Sequence, residues 1–210
     1  MTNGVPQPTV FVVDDDPSFR TAVSRLLRAA GHQVKAFSSA SEFVRSLPAT
    51  GPGCVVADLR MPGLSGLDLQ AALAGSENPL PVLFLTGHGD IPNSVHAMRL
   101  GAEDFLTKRA PKEALLEAVS RALARDARER AERERVQQAR HRFATLTGRE
   151  REVLEHVLRG QLNKQIAAQL GIHERTVKLH RTAITTKVGV QSVAELTQLW
   201  MEAFPKGHLP

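Results

Sequence analysis

The residues that could do chemistry together in this sequence are Asp14, Asp15, Asp58, Thr86 and Lys108. Asp58 closes the apolar run Cys54-Val55-Val56-Ala57 and is followed by Leu59-Arg60-Met61-Pro62-Gly63. A short Val-rich run bounded by Pro and Gly reads as a strand buried in a parallel sheet, so the carboxylate stands at the strand's C-terminal end. Val12 and Val13 run into Asp14, Asp15 and Asp16 in the same way. All strand ends of a parallel sheet face one rim, where ligands bind, and in a 2-1-3-4-5 order the first and third strands are neighbours. Asp14, Asp15 and Asp58 then converge. Acids that close repel and raise one another's pKa unless a cation neutralises them, and Mg2+ (or Mn2+) suits such a site because it takes oxygen ligands and keeps waters for a phosphate to displace.

Thr86, in Leu85-Thr86-Gly87-His88-Gly89-Asp90, and Lys108, in Phe105-Leu106-Thr107-Lys108, end two further apolar runs. A hydroxyl that donates to one oxygen and an ammonium set against another are what a transferring phosphoryl group needs. Asp58 would be the nucleophile and would form an acyl phosphate. Singly, each residue is ordinary: an Asp pair at a strand end often only caps a helix, and Thr or Lys at a strand terminus is commonplace. Their joint placement on successive strand ends is what points to a phosphate acceptor. His88 reads as a loop residue rather than a catalyst.

The elements that must position these groups alternate along the first half of the chain. Strands are expected over 10–14, 33–37, 54–58, 82–86 and 104–107. The first helix, 17–30, carries Phe19, Val23, Leu26 and Leu27 on one face, with Asp16 placed to cap it, Pro17 at its first position and Gly31 just past its end. Ser39 with Glu42 reads as a capping box for a second helix, and Gly101 follows a helix over 94–100. Strand-helix repeats of this kind imply a doubly wound five-stranded parallel sheet. Near Pro111 a further helix begins, with Leu115, Leu116, Val119 and Leu123 on one side, and its Arg-Ala-Glu continuation runs without Gly or Pro to about Phe143. Beyond Leu123 its apolar positions are Ala127, Ala131, Val136 and Ala139, too thin for a strong heptad seam. A solvated helical linker and a dimerising coil both remain open. The expected division is 8–118, a linker over 119–142, and 143–205.

Charge divides the chain in the same place. The net charge is +5, yet residues 1–118 hold 10 Lys and Arg against 12 acids, and the basic excess lies wholly beyond them. That favours a polyanion, nucleic acid first, as the partner of the second half. The single cysteine, Cys54, rules out an intramolecular disulfide and reads as a small buried hydrophobe. No apolar run approaches the ~18 residues of a membrane span, and Met1 to Thr9 lacks the charged and apolar regions of a signal peptide. A soluble cytoplasmic protein without membrane partners is expected.

The second half reads as a small all-helical domain. Thr147-Gly148-Arg149-Glu150 is a capping box ahead of Val153, Leu154, Val157 and Leu158, and Gly160 ends that helix. Asn163 is placed to cap a second helix with Ile166, Ala167 and Leu170, which stops at Gly171. His173 or Glu174 opens a third with Val177, Ile184 and Val188, and Ser192 with Glu195 boxes a fourth. Ala167 where helices pack closely, Gly171 where the turn needs positive φ, and Val177 facing inward fit a helix-turn-helix. If Val177, Ile184 and Val188 face the core, Arg175, Lys178, Leu179, Thr182 and Thr186 point outward. Lys178 and Leu179 are the candidates for base contact; Lys164, Thr176, Arg181 and Lys187 suit phosphates, with Thr182 on the same face. His180 has no second ligand spaced for a metal.

With these motifs quoted, residues 8–118 resemble a response-regulator receiver domain, and Leu146-Thr147-Gly148-Arg149-Glu150 through Thr176-Val177-Lys178-Leu179-His180 resemble the LuxR-type DNA-binding domain. The whole chain is similar to the FixJ branch of the NarL/FixJ response regulators. The resemblance implies that Asp58 is the phosphorylated aspartate, Asp14 and Asp15 the metal-binding acids, and Arg60 the donor of a metal-binding backbone carbonyl. It implies switch roles for Thr86 and Phe105, although an aromatic in a final strand is usually plain core, and an invariant-type role for Lys108. A sensor histidine kinase, a double-stranded DNA operator and RNA polymerase are the implied partners, with homodimers formed on phosphorylation. One departure is Lys108-Arg109, where receivers carry proline after a cis peptide; cis before a non-proline costs about 2.5 to 4 kcal/mol, so this loop is either strained or routed differently. A DNA-binding regulator whose receiver ignores phosphate is therefore an alternative. A metal-dependent phosphohydrolase is another, although Arg60 stands where such enzymes place a second carboxylate. Dinucleotide or flavin binding is disfavoured, because the first strand runs into aspartates rather than a glycine-rich loop.

Overall fold

A computed structural model of the chain describes residues 7–46, 51–87 and 91–205. The chain forms two compact units, Met1–Arg130 and Ala131–Pro210. The reading of His88 and of the Gly89-Asp90 stretch falls outside the described residues.

In the first unit, strands β1 (Thr9–Val13), β2 (Gln33–Phe37), β3 (Gly53–Asp58), β4 (Val82–Thr86) and β5 (Asp104–Thr107) make one parallel sheet in the order 2-1-3-4-5. Period-two alternation sends side chains to two faces. Val10, Val12, Cys54, Val56, Leu83 and Leu85 pack with helix α1 (Pro17–Ala29) and the start of α5 (Lys112–Ala144). Phe11, Val13, Val55, Ala57 and Phe84 face the opposite way, against α2 (Ala40–Ser46), α3 (Gly66–Ala74) and α4 (Ile91–Arg99). The central strands are buried on both faces, which is why they read as unbroken apolar runs. Edge strand β2 is partly exposed and carries Lys35, which discourages pairing with another chain.

Local signals account for most helix ends. Asp16 accepts the N–H groups of Ser18 and Phe19 at the start of α1, at 2.8 and 3.2 Å, and Gly31 follows the helix with φ +91°. Several expected details differ. β1 stops at Val13, leaving Asp14 in the turn. The Glu42 carboxylate reaches Ser38 at 2.9 Å rather than Ser39, so the box is offset by one residue. α4 starts at Ile91 instead of 94. α3, which the sequence reading did not single out, has a capping box of its own, Ser65 with Asp68.

α5 is a single helix of 33 residues. Its first turns belong to the sheet core through Leu115, Val119 and Ala122, and its last turns to a second core through Ala139 and Phe143. Residues 119–142, expected as a linker, therefore have both ends packed, while Ala127 and Ala131 are exposed. Asp126, 1% exposed, accepts the Gly53 N–H at 2.9 Å, and Arg130 bonds to Asn78 at 2.9 Å and to the Gly51 carbonyl. These bonds satisfy a buried carboxylate and fix α5 to the start of β3.

The second unit holds α6 (Gly148–Leu158), α7 (Asn163–Leu170), α8 (Glu174–Val188) and α9 (Val193–Ala203) around Phe143, Leu154, Ile166, Ile184, Leu196 and Trp200. Gly171 adopts φ +64° between α7 and α8, as the turn requires. Asn163 does not cap α7. Leu162 occupies that position, its N–H bonded to Gln165 Oε1 at 2.8 Å, and Asn163 Oδ1 instead accepts from Arg181 at 3.0 Å. Among the described residues no helix is long and apolar enough to cross a membrane.

Gly66 is the closest backbone approach beneath the acidic rim: a Cβ there would lie 2.5 Å from the Asp58 carbonyl oxygen and 2.8 Å from the Phe84 ring. Gly66→Ala is expected to lower stability of the first unit by about 1–3 kcal/mol, the usual consequence of overpacking. Urea unfolding followed by circular dichroism checks this; an unchanged midpoint would show that α3 can shift freely.

Candidate functional site

β1 and β3 are paired with Val13 opposite Ala57, so the next residue on each strand places Asp14 beside Asp58. Both are nearly enclosed, at 2% and 8% exposure, whereas Asp15 is exposed. One carboxylate oxygen from each of Asp14, Asp15 and Asp58 falls within a group spanning no more than 4.8 Å. Oxygen donors at that spacing fit a small divalent cation.

Lys108 bridges the two buried acids, with Nζ 2.7 Å from Asp14 Oδ2 and 2.7 Å from Asp58 Oδ2. It lies just past β5, where its N–H donates to the Thr86 carbonyl at 2.7 Å, and its Nζ sits 4.5 Å from the centre of the Phe19 ring. No described peptide bond is cis, so the Lys108-Arg109 loop is routed differently from a cis-proline loop and still delivers the ammonium to both carboxylates. Burial raises the Asp14 pKa, and the hydrogen bond from Lys108 only partly opposes it. For Lys108, burial works against the charged form, but the bonds to Asp14 and Asp58 prevail and raise its pKa. The site thus holds its own counter-charge.

The remaining oxygens of the pair are also engaged. Asp14 Oδ1 accepts the Asp16 N–H at 2.9 Å and Asp58 Oδ1 accepts the Arg60 N–H at 3.2 Å. The Arg60 side chain is exposed. Thr86 is buried at the end of β4, one position beyond the Asp58–Leu85 pairing. Phe105 is half-buried and its ring packs against Phe84 at a tilt of 50°, with centroids 6.2 Å apart, at the margin of the core. The sequence reading missed Phe19 as a partner of Lys108; its place two residues after Pro17 on α1 was the available signal. Cys54 is fully buried and its thiol pKa is pushed up by burial, in keeping with an inert hydrophobe.

In the second unit Val177, Ile184 and Val188 are fully buried on α8, and Arg175, Lys178, Leu179, Thr182 and Thr186 are exposed. Leu179 is 64% exposed beside Lys178 on this face. Lys164 is exposed on α7; Thr176, His180 and Arg181 are half-buried. A groove of about 760 Å³ runs past Leu162, Lys164, Lys178, Arg181, Thr182 and Ser192. Its basic lining suits a phosphate backbone. Lys187 is exposed on α8, and its Nζ is 2.7 Å from Glu150 Oε2, tying α8 to the capping box of α6.

Comparison with known proteins agrees with both units. Residues 10–120 match the family described as response regulator receiver domain, and residues 144–200 match the luxR family of bacterial regulatory proteins. The chain belongs to the response regulators that join a receiver to a LuxR-type DNA-binding domain. Among its relatives, Nodulation protein W of Bradyrhizobium diazoefficiens is 44% identical over 190 residues, covering 90% of this chain and 84% of that protein. Response regulator protein TodT of Pseudomonas putida is 42% identical over 190 residues, again 90% and 84% of the two chains. The solved structure of response regulator StyR is 48% identical with a TM-score of 0.81, covering 92% of this chain and 98% of that one. Full-length FixJ from B. japonicum is 37% identical with a TM-score of 0.58, covering 94% and 98%. A receiver implies a sensor kinase as partner, and the LuxR-type domain implies DNA.

The Glu150 contacts carry a test. Burial disfavours its charge, but Lys187 and the Thr147 N–H hold its pKa below the ordinary 4.5. A lowered folded-state pKa gives stability that is present above the unfolded value and lost as pH falls through the folded one. Glu150→Gln is expected to lower stability of the helical unit by about 1–3 kcal/mol at neutral pH, the range for a charged hydrogen-bond partner. The difference from wild type should shrink as the pH drops below 4.5. Thermal melts across pH check it, and a pH-independent difference would contradict the ion pair.

Proposed function

We propose that a sensor histidine kinase phosphorylates Asp58 in a magnesium-dependent reaction, and that the phosphoprotein dimerises and binds a two-half-site DNA operator to regulate transcription. The observation that carries this is the Asp58 carboxylate, at the rim within 2.7 Å of Lys108 and grouped with Asp14 and Asp15. An Asp58 oxygen attacks phosphorus, the bond from phosphorus to the kinase's histidine nitrogen breaks, and an acyl phosphate forms. Lys108 exchanges its contact with Asp58 for one with a phosphoryl oxygen, and Thr86 supplies a hydroxyl to another. Asp14, Asp15, Asp58 and the Arg60 carbonyl would hold Mg2+ or Mn2+, which supplies positive charge against the phosphoryl oxygens. The receiver thereby catalyses its own phosphorylation and dephosphorylation without being a turnover enzyme.

Thr86 and Phe105 would report the modified state. Thr86 turns toward the phosphoryl group, Phe105 repacks, and paired receivers present paired helices to the operator. Lys178 and Leu179 would contact base edges, with Lys164, Thr176, Arg181 and Thr182 on phosphates and the groove wall. RNA polymerase is the partner through which the bound dimer would act, in the cytoplasm. The reach of Lys108 despite Arg109 favours this over a receiver that ignores phosphate. An exposed arginine at position 60 is no substitute for the general acid of a phosphohydrolase.

Incubation with acetyl phosphate and Mg2+ should label the protein on Asp58. Asp58→Asn or chelation of the metal should abolish the label, and equal labelling of the mutant would contradict the assignment. Lys178→Ala should weaken binding to genomic DNA fragments selected by their binding to the phosphorylated protein by about 1–3 kcal/mol and relax preference at one base position, measured by fluorescence anisotropy. A uniform loss across all sequences would instead make Lys178 a phosphate contact.

A further inference from the structure

The turn that ends α4 is held by side chains from two other helices. Gln70 of α3, 5% exposed, donates from Nε2 to the Ala97 carbonyl at 3.3 Å. Arg125 of α5 donates from Nη1 to the Gly101 carbonyl at 3.3 Å while also pairing with Glu103 and Glu129. Beside them lies a cavity of about 140 Å³ whose lining includes Gln70, Leu80, Val82, Leu100 and Arg125. A carbonyl can only accept, so the Gln70 amide must turn its nitrogen to Ala97, and its Oε1 is left buried without a partner. A buried acceptor in that state is unfavourable, and a small displacement would relieve it.

Over residues 94–99, the part of α4 whose side chains are described, the helix has little apolar grip. Of its residues 94–99 only Ala97 is buried, while Val95 and Met98, with Leu100 just past the helix, are 45%, 47% and 49% exposed. Helices with few buried apolar contacts open at low free energy. α4 also begins at Ile91, shortly after Thr86 at the rim. We propose that Gln70 is a positioning residue that latches the C-terminal turn of α4 to α3 in the unphosphorylated receiver, and swings toward the adjacent cavity when α4 leaves to pair with a second copy. This rests on the reading that phosphorylation of Asp58 drives receiver pairing, to which the exposed Val95, Met98 and Leu100 would add an apolar surface.

The amides of Leu100, Gly101 and Ala102, bonded to the carbonyls of His96, Met98 and Ala97, report on this turn directly. In the full-length Gln70→Met variant, which keeps length but neither donates nor accepts through an amide, these amides should exchange with solvent on the order of fivefold faster, the effect of one net hydrogen bond. The β1 and β3 amides should keep their wild-type rates, and sedimentation should show more dimer without phosphate. Arg125→Gln removes the second tether and should act in the same direction. Wild-type exchange at Leu100, Gly101 and Ala102, acceleration spread evenly over the receiver, or loss of fold in both variants would each overturn the latch. Acetyl phosphate labelling of the wild type, run alongside, separates the two ideas. Failure to label Asp58 overturns the phosphorylation reading while the exchange data still decide the latch.

Discussion

The bridge from Lys108 to Asp14 and Asp58 is the interaction on which the first unit's chemistry depends. Two nearly enclosed carboxylates side by side are unstable without positive charge, and the ammonium 2.7 Å from each supplies it. The sheet order puts β1 beside β3, so the acids meet; β5, two strands further along, must return a cation across the rim, and the bond from its backbone to Thr86 aims it. The Phe19 ring beneath Nζ adds a weak attraction for the same charge. A phosphoryl group on Asp58 would redistribute this balance, because the ammonium that neutralises the carboxylates is the group that would meet the new oxygens.

Elsewhere buried polar groups do structural work of a similar kind. Asp126 closes the start of β3 onto α5, and Glu150 joins a helix cap to Lys187 on α8. Each is a charge taken out of water and held by several partners, so removing one partner leaves the other exposed to the full desolvation penalty. The Gln70 amide holds its neighbour through one hydrogen bond only, its oxygen being buried without a partner.

Much of this was legible in the sequence, for identifiable reasons. Unbroken Val-rich runs ending in Asp marked the central strands and the rim, because parallel central strands must be apolar on both faces, and the doubly wound rule supplied their order. Asp16, Thr147 and Ser192 gave helix starts through local bonds spanning three residues or fewer. The bounds of α3 were not read, because Leu67 and Leu69 alternate with Asp68 and Gln70 at period two, obscuring the helical pattern. The ion pair of Lys187 with Glu150 was not legible, because the two lie 37 residues apart, beyond any local rule. Asn163 looked like a cap until Arg181 claimed its oxygen. The Lys108-Arg109 loop shows that proline is dispensable for placing the lysine, something a motif comparison alone could not settle.

One covalent event at the acidic rim would change how the basic helix meets DNA, and the direct test is the affinity of the protein for a genomic DNA fragment selected by its binding to the phosphorylated protein, measured before and after phosphorylation at fixed salt. The account predicts tighter binding and a two-to-one ratio of protein to operator once Asp58 carries phosphate. Identical affinity and stoichiometry in a preparation shown by mass to be phosphorylated on Asp58 would contradict it.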